Sequence, residues 1–326
     1  LDPIPFEIHV SHYERSKWTW VETPTSILVA ENSSETFTAN LTVPAETPQG
    51  VYEGQIKIDI TSPYNKTLVV PVSLLVPSVL STGALAYDIT PPLTMELYDS
   101  YRFNGYFDWT REYESGDWKQ WILDVQDSTV VAAFVYANWT RNMTDIDMLG
   151  INPMGVIIDA AVSPHLRNGC FEWDTRTKTT EEYVVLDTSM LTNTLTGIYT
   201  VLLHNVLLNG TAFPETVTGR VELVKLTPRR LISVTTRSGQ SAWQNYTITT
   251  GRKLTNVAML TSYPLTPFPV EVTPPTVPEL EAMNFTEFSV RVDVPEEASE
   301  GEYPVIIYFT SVSYTHLRAH ETVLDL

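Results

Sequence analysis

Asp145 and Asp147, two apart in Thr144-Asp-Ile-Asp-Met148, are the residues of this chain best suited to binding chemistry. In a strand, residues i and i+2 point to the same side, so both carboxylates can share one hard cation while loop carbonyls supply further oxygens. Asp159 is the candidate third ligand and calcium the expected cation. The competing reading is that one aspartate caps a turn while the other is solvated, since no EF-hand-like or repeat-type calcium signature occurs. Trp109, Trp118, Trp121 and Trp139 can offer aromatic faces to sugars, although Trp at strand spacing more often belongs to a core. Trp118 and Trp121 stand three apart and cannot share one strand face, which argues against a flat platform. His9 and His12 lack a third ligand nearby and read as surface residues. Cys170, the only cysteine, reads as a small buried hydrophobe and excludes any intrachain disulfide.

A second chemistry is written in the asparagines. Asn-X-Ser/Thr occurs at Asn32, Asn40, Asn65, Asn138, Asn142, Asn209, Asn245 and Asn284, eight of the 14 asparagines. With 65 Ser and Thr among 326 residues, chance would give about three such triplets. The excess points to N-glycan acceptors and therefore to an extracellular or cell-surface protein. The alternative is a Thr-rich β composition that produces the triplets incidentally.

The elements that must position these residues are strands. Charged residues make up only 18%, beside 43 Thr, 16 Tyr and 8 Trp, a composition suited to pleated, half-buried surfaces. Phe37, Ala39, Leu41 and Val43 alternate with polar residues, which puts Asn40 on the solvent side. Ile56, Ile58 and Ile60 alternate with Lys57 and Asp59, and Phe288, Val290, Val292 and Val294 with Ser289, Arg291 and Asp293. No dozen residues carry a capped 3.6-residue period, so the expected class is all-β. The formal net charge of −19 repels phosphate backbones and argues against a nucleic-acid partner. Thr67–Tyr87 has no formal charge, but Pro71, Pro77 and Gly83 interrupt it, so it reads as a strand and linker rather than a membrane span.

One pattern recurs. Phe37-Thr-Ala-Asn-Leu-Thr-Val-Pro44, five residues, then Gly50-Val-Tyr52 is matched by Phe288-Ser-Val-Arg-Val-Asp-Val-Pro295, five residues, then Gly301-Glu-Tyr303. Each copy reads as a strand stopped by Pro, a surface crossover, a Gly turn, and a strand opening with a Tyr that plugs a sandwich end. Two Ig/fibronectin-III-like sandwiches are therefore expected at 1–78 and 229–311, flanking a different domain at 84–226. The first sandwich is expected to be truncated at its N-terminus. Val312–Thr322 resembles the translation of a sequencing-library adapter, so 312–326 is expected to be a non-native tail and is left out of the fold expectations.

The middle region carries Gly116-Asp-Trp118-Lys-Gln-Trp121, Asn138-Trp-Thr140, Asp145-Ile-Asp147, Asn152-Pro-Met-Gly155 and Thr196-Gly-Ile-Tyr199 in that order. This order resembles the pre-peptidase C-terminal type of jelly roll. With the flanking modules, the arrangement is similar to the C-terminal extensions of secreted archaeal subtilisin-like serine proteases of the pyrolysin type. The resemblance implies an accessory region that stabilises or positions an upstream catalytic domain of the same polypeptide, on protein substrate or cell envelope. It brings no catalysis here: neither His-Gly-Thr nor Gly-Thr-Ser occurs, and Asp187-Thr-Ser189 lacks the Gly of the family's Asp motif. The alternatives are an adhesive or structural cell-surface glycoprotein, such as an S-layer-associated protein, and a carbohydrate-binding module.

Overall fold

The computed structural model describes residues 19–95, 118–141, 145–161, 180–187, 195–206, 214–228, 233–262, 268–311 and 314–325. His9, His12, Trp109, Asn142, Cys170 and Asn209 lie outside them. Every regular element among the described residues is a β-strand, so the all-β, sandwich-like class forms. The chain divides into two compact units, Leu1–Leu74 and Leu75–Leu326.

The first unit pairs β1 (Val21–Glu22) with β2 (Asn40–Leu41), and β3 (Gly50–Ile60) with β4 (Lys66–Val76). The alternation over Phe37–Val43 predicts a longer strand than the two residues of β2 that form. Its apolar side is also not buried: Phe37 and Leu41 are each 37% exposed.

The second unit contains β5 (Ser78–Leu80), β6 (Ala86–Met95), β7 (Trp118–Val125), β8 (Val130–Asn138), β9 (Asp145–Ile151), β10 (Ile157–Ala161), β11 (Glu181–Asp187) and β12 (Gly197–Val206). It continues with β13 (Glu215–Thr227), β14 (Ser233–Thr235), β15 (Ser241–Thr250), β16 (Leu254–Ser262), β17 (Val270–Thr273), β18 (Thr276–Leu280), β19 (Asn284–Asp293), β20 (Glu302–Ser311) and β21 (Tyr314–Asp325). Three sheets form, in the orders β10-β9-β12-β7-β5, β11-β8-β13-β15-β19-β17 and β14-β21-β20-β16-β18, with β6 also paired to β13. The adapter-like tail forms β21, antiparallel to β20.

Two apolar clusters fill this unit. One gathers Trp121, Leu123, Ala133, Val135, Ile146, Met148, Tyr199, Val201, Val217 and Val221. The other gathers Tyr246, Ile248, Val257, Met259, Phe288, Val290, Val292, Ile307 and Phe309. The 13-residue strand β13 feeds both: Val217, Val221 and Leu223 enter the first, Val224 and Leu226 the second. One edge of β13 pairs with β8 over Thr218–Lys225. The other is shared in series by β6, opposite Glu215–Glu222, and β15, opposite Val224–Thr227.

The sequence repeat is repeated in hydrogen bonds. Val21 and Glu22 face Leu41 and Asn40, as Val270 and Glu271 face Val292 and Arg291. The Thr47 N–H donates to the Pro44 carbonyl at 3.0 Å, as Ala298 N–H does to Pro295 at 3.2 Å. Tyr52 Oη donates to the Pro48 carbonyl at 2.8 Å, and Tyr303 Oη to the Ser299 carbonyl at 2.9 Å. An aromatic ring braces each corner, Trp20 at 5.1 Å from Tyr52 and Phe268 at 4.5 Å from Tyr303. Even the left-handed residue five positions before each Phe is kept, Asn32 at φ 59° and Met283 at φ 60°. The copies differ in burial, for Phe288 is 0% exposed where Phe37 is 37%.

Candidate functional site

Register decides which of the candidate ligands meet. On β9, Ile146 and Met148 enter the core, so Asp147 lies on the opposite face; the Asp145 side chain lies outside the described residues. Asp159, on β10, stands opposite Gly150 of β9 and shares its side, the side of Ile146 and Met148. There its carboxylate accepts the Val185 N–H at 2.7 Å. The register therefore separates Asp159 from Asp147. Among the described residues no three His, Cys, Asp or Glu side chains gather as a metal-binding group.

Asp147 belongs instead to a row across three strands, Trp118–His204–Asp147, built by β7, β12 and β9. The His204 imidazole stacks on the Trp118 indole at 4.1 Å between ring centres and 11° between planes. His204 is only 6% exposed, and burial pushes its pKa down to about 4. The ring is therefore neutral in the fold while the unfolded chain takes up a proton below about pH 6.5. The depressed value destabilises the fold progressively as pH falls from about 6.5 towards 4, because the unfolded state alone binds the proton. Between pH 6.5 and 5 the loss from this residue is about 1.5 kcal/mol. Urea titrations at the two pH values should show that difference in the parent chain and its disappearance in His204→Phe, which keeps a stacked ring without the titration. An equal loss in both chains would remove His204 from the account.

The aromatic candidates divide by burial. Trp121 is 0% and Trp139 6% exposed, so both are core. Trp118 is half-buried and already stacked on His204. Of the six histidines only His204 has a described side chain. Among the six described sequon asparagines, Asn32, Asn40, Asn65, Asn245 and Asn284 are exposed, while Asn138 is half-buried. The hydroxyl of Thr140, in the Asn138 triplet, donates to Glu215 at 2.9 Å.

Three arrangements were not foreseen from the sequence. The Arg252 guanidinium lies 4.0 Å from the centre of the Phe134 ring and 5.7 Å from those of Tyr136 and Tyr183. Its Nε and Nη1 are buried without a hydrogen-bond acceptor, so the aromatic faces are the partners that stabilise this cation. Asp127, in the turn between β7 and β8, accepts the Thr129 N–H and hydroxyl at 2.9 and 2.7 Å and pairs with Lys225 at 2.9 Å. Burial pushes the Asp127 pKa up, but these hydrogen bonds and the lysine charge outweigh it and hold the carboxyl below its ordinary value.

The third arrangement is on the solvent side of β15 and β19. Ala242, Tyr246 and Ile248 point into the core, so Ser241, Trp243 and Asn245 point out. Trp243 is 56% exposed and faces Arg291 across the ladder. The Arg291 guanidinium lies 5.1 Å from the indole centre. Its Nε donates to Asp293 at 2.7 Å and its Nη2 to Ser241 Oγ at 3.3 Å, while Ser241 Oγ donates to Asp293 at 2.6 Å. The Ser241 hydrogen bond and the Arg291 contact hold the Asp293 carboxyl below the usual carboxylate range. The alternation around Trp243, two residues before a sequon, is the signal that could have found it.

No helix among the described residues is long and apolar enough to cross a membrane. No protein-family model matches the chain, and no curated protein matches it.

Proposed function

We propose that this chain is a non-catalytic accessory region of a secreted subtilisin-like serine peptidase, one that stabilises its catalytic domain or positions it on substrate or envelope. The observation that supports this best is the duplicated corner. The same strand, Pro turn and tethered Tyr occur before and after a sandwich with a core of its own. Modules repeated in this way act as spacers and supports, because each corner fixes a chain reversal without needing a reactive group. The exposed asparagines of five sequons suit a surface outside the cytosol, where glycans attach.

The purified chain should hydrolyse neither casein nor peptide substrates, and a fluorophosphonate should label none of its serines. A labelled serine would overturn the non-catalytic reading. The linkage to a peptidase is tested by the reading frame preceding Leu1. A subtilisin-type catalytic domain there supports the proposal; further sandwich modules without one would favour an adhesive surface glycoprotein.

A further inference from the structure

A Trp on the solvent face of a sheet, more than half exposed, has no core role to explain it. Trp243 projects from β15, whose inner side chains already complete the apolar cluster beneath. Around it the face is polar, with Ser241 and Asn245 on the same strand, Arg291, Asp293 and Ser289 opposite on β19, and Glu271 beyond on β17. The nearest cation is not free to swing. Arg291 is held by both Asp293 and Ser241, so guanidinium donors and carboxylate acceptors are fixed beside one apolar ring face.

That combination fits one chemical class. A pyranose presents a flat patch of C–H groups that an indole face covers, and a rim of hydroxyls that both donate and accept. A carboxylate and a guanidinium side by side satisfy adjacent hydroxyls with charge-assisted hydrogen bonds. Glu271 and Glu287 on the same face, with the net charge of −19, disfavour an anionic sugar or a nucleic acid. We propose that Trp243, Arg291, Asp293 and Ser241 form a binding site for a neutral pyranose ring. This site uses none of Trp109, Trp118, Trp121 or Trp139, and it does not depend on the peptidase reading.

The ring can come from two sources. One is a free neutral oligosaccharide. The other is the first sugar of a glycan on Asn245, which lies on the same face of β15 as Trp243, about 7 Å along the strand.

The test follows the Trp243 indole N–H by NMR, with the resonance assigned from Trp243→Phe. In the first arm the full chain, made without glycosylation, is titrated with cellohexaose, chitohexaose and mannohexaose. A saturable shift of that resonance is expected with at least one of them, and titration calorimetry of the same sugar should show the affinity weakened about tenfold or more by Trp243→Ala and less by Arg291→Lys. In the second arm the chain is glycosylated, and contacts between the indole and the Asn245 sugar are expected to vanish in Asn245→Gln without a change in melting temperature. A response in the first arm assigns the site to free saccharide, and in the second arm alone to the attached glycan; either supports the proposal. A silent Trp243 in both arms overturns it, as does binding that survives Trp243→Ala. Preference for polygalacturonate over the neutral sugars would overturn the neutral class.

Discussion

Gly251→Ala is expected to cost about 3–4 kcal/mol of stability in the second unit, among the larger effects a single methyl group can have. The reason is a three-way meeting of main chains. The Gly251 N–H donates to the Leu223 carbonyl and the Leu223 N–H to the Leu85 carbonyl, both at 2.8 Å. At this point β13 exchanges one neighbour, β6, for the next, β15. A Cβ on Gly251 would collide with the Leu85 carbonyl oxygen and sit 2.9 Å from its carbon and 3.3 Å from the Leu223 nitrogen. These are backbone atoms inside a ladder, and they can yield only by breaking it. Gly150→Ala is a useful comparison, because its closest obstacle is the flexible end of Leu186, at 2.9 Å, and the cost there should be smaller. In urea, Gly251→Ala should lower the midpoint with an unchanged slope. A loss under about 1 kcal/mol would show that the junction relaxes easily.

The second large effect uses the two copies of the repeat as controls for each other. Phe288→Ala should cost about 3–5 kcal/mol, because it empties a fully buried ring position among Val290, Val292 and Ile307. Phe37→Ala, at the matching position, should cost less than about 1 kcal/mol, since that ring keeps 37% of its exposure in the fold. The corner hydrogen bonds recur in both copies, whereas Phe288 also sits in a ladder opposite Tyr246 and Phe37 lies outside β2, so the difference reports core burial together with strand pairing. Unfolding of each unit followed by hydrogen exchange would give the two values. Equal costs would mean that Phe37 is as well covered as Phe288.

The parts of this fold that are local in sequence could be read from it. Alternation at Phe288–Val294 and Ile56–Ile60 marks strands, and the Pro and Gly spacing finds both corners, because turn chemistry acts over four or five residues. Long-range pairing could not be read in the same way. Spacing makes Asp159 a candidate companion of Asp145 and Asp147, but the register, with its irregularity between Ile157 and Asp159, sets it on the other face of the sheet from Asp147. A one-residue offset suffices to do that. Trp121 and Trp139 drew attention as a cluster, yet periodicity says only that a residue faces one side of a sheet, not whether another sheet covers it. Trp243 stands outside the aromatic clusters, so clustering does not single it out. The Phe37–Val43 alternation was legible as a pattern, but a pattern supplies one face of a core and not its opposite wall.

The long strand β13 has a mechanical consequence. Its two halves belong to different cores, and its ladder with β8 reaches both, with an irregularity between Val224 and Lys225. A force pulling the two cores apart therefore finds no linker to straighten at this level. Under load, the second unit should behave as one stiff block that yields in a single step.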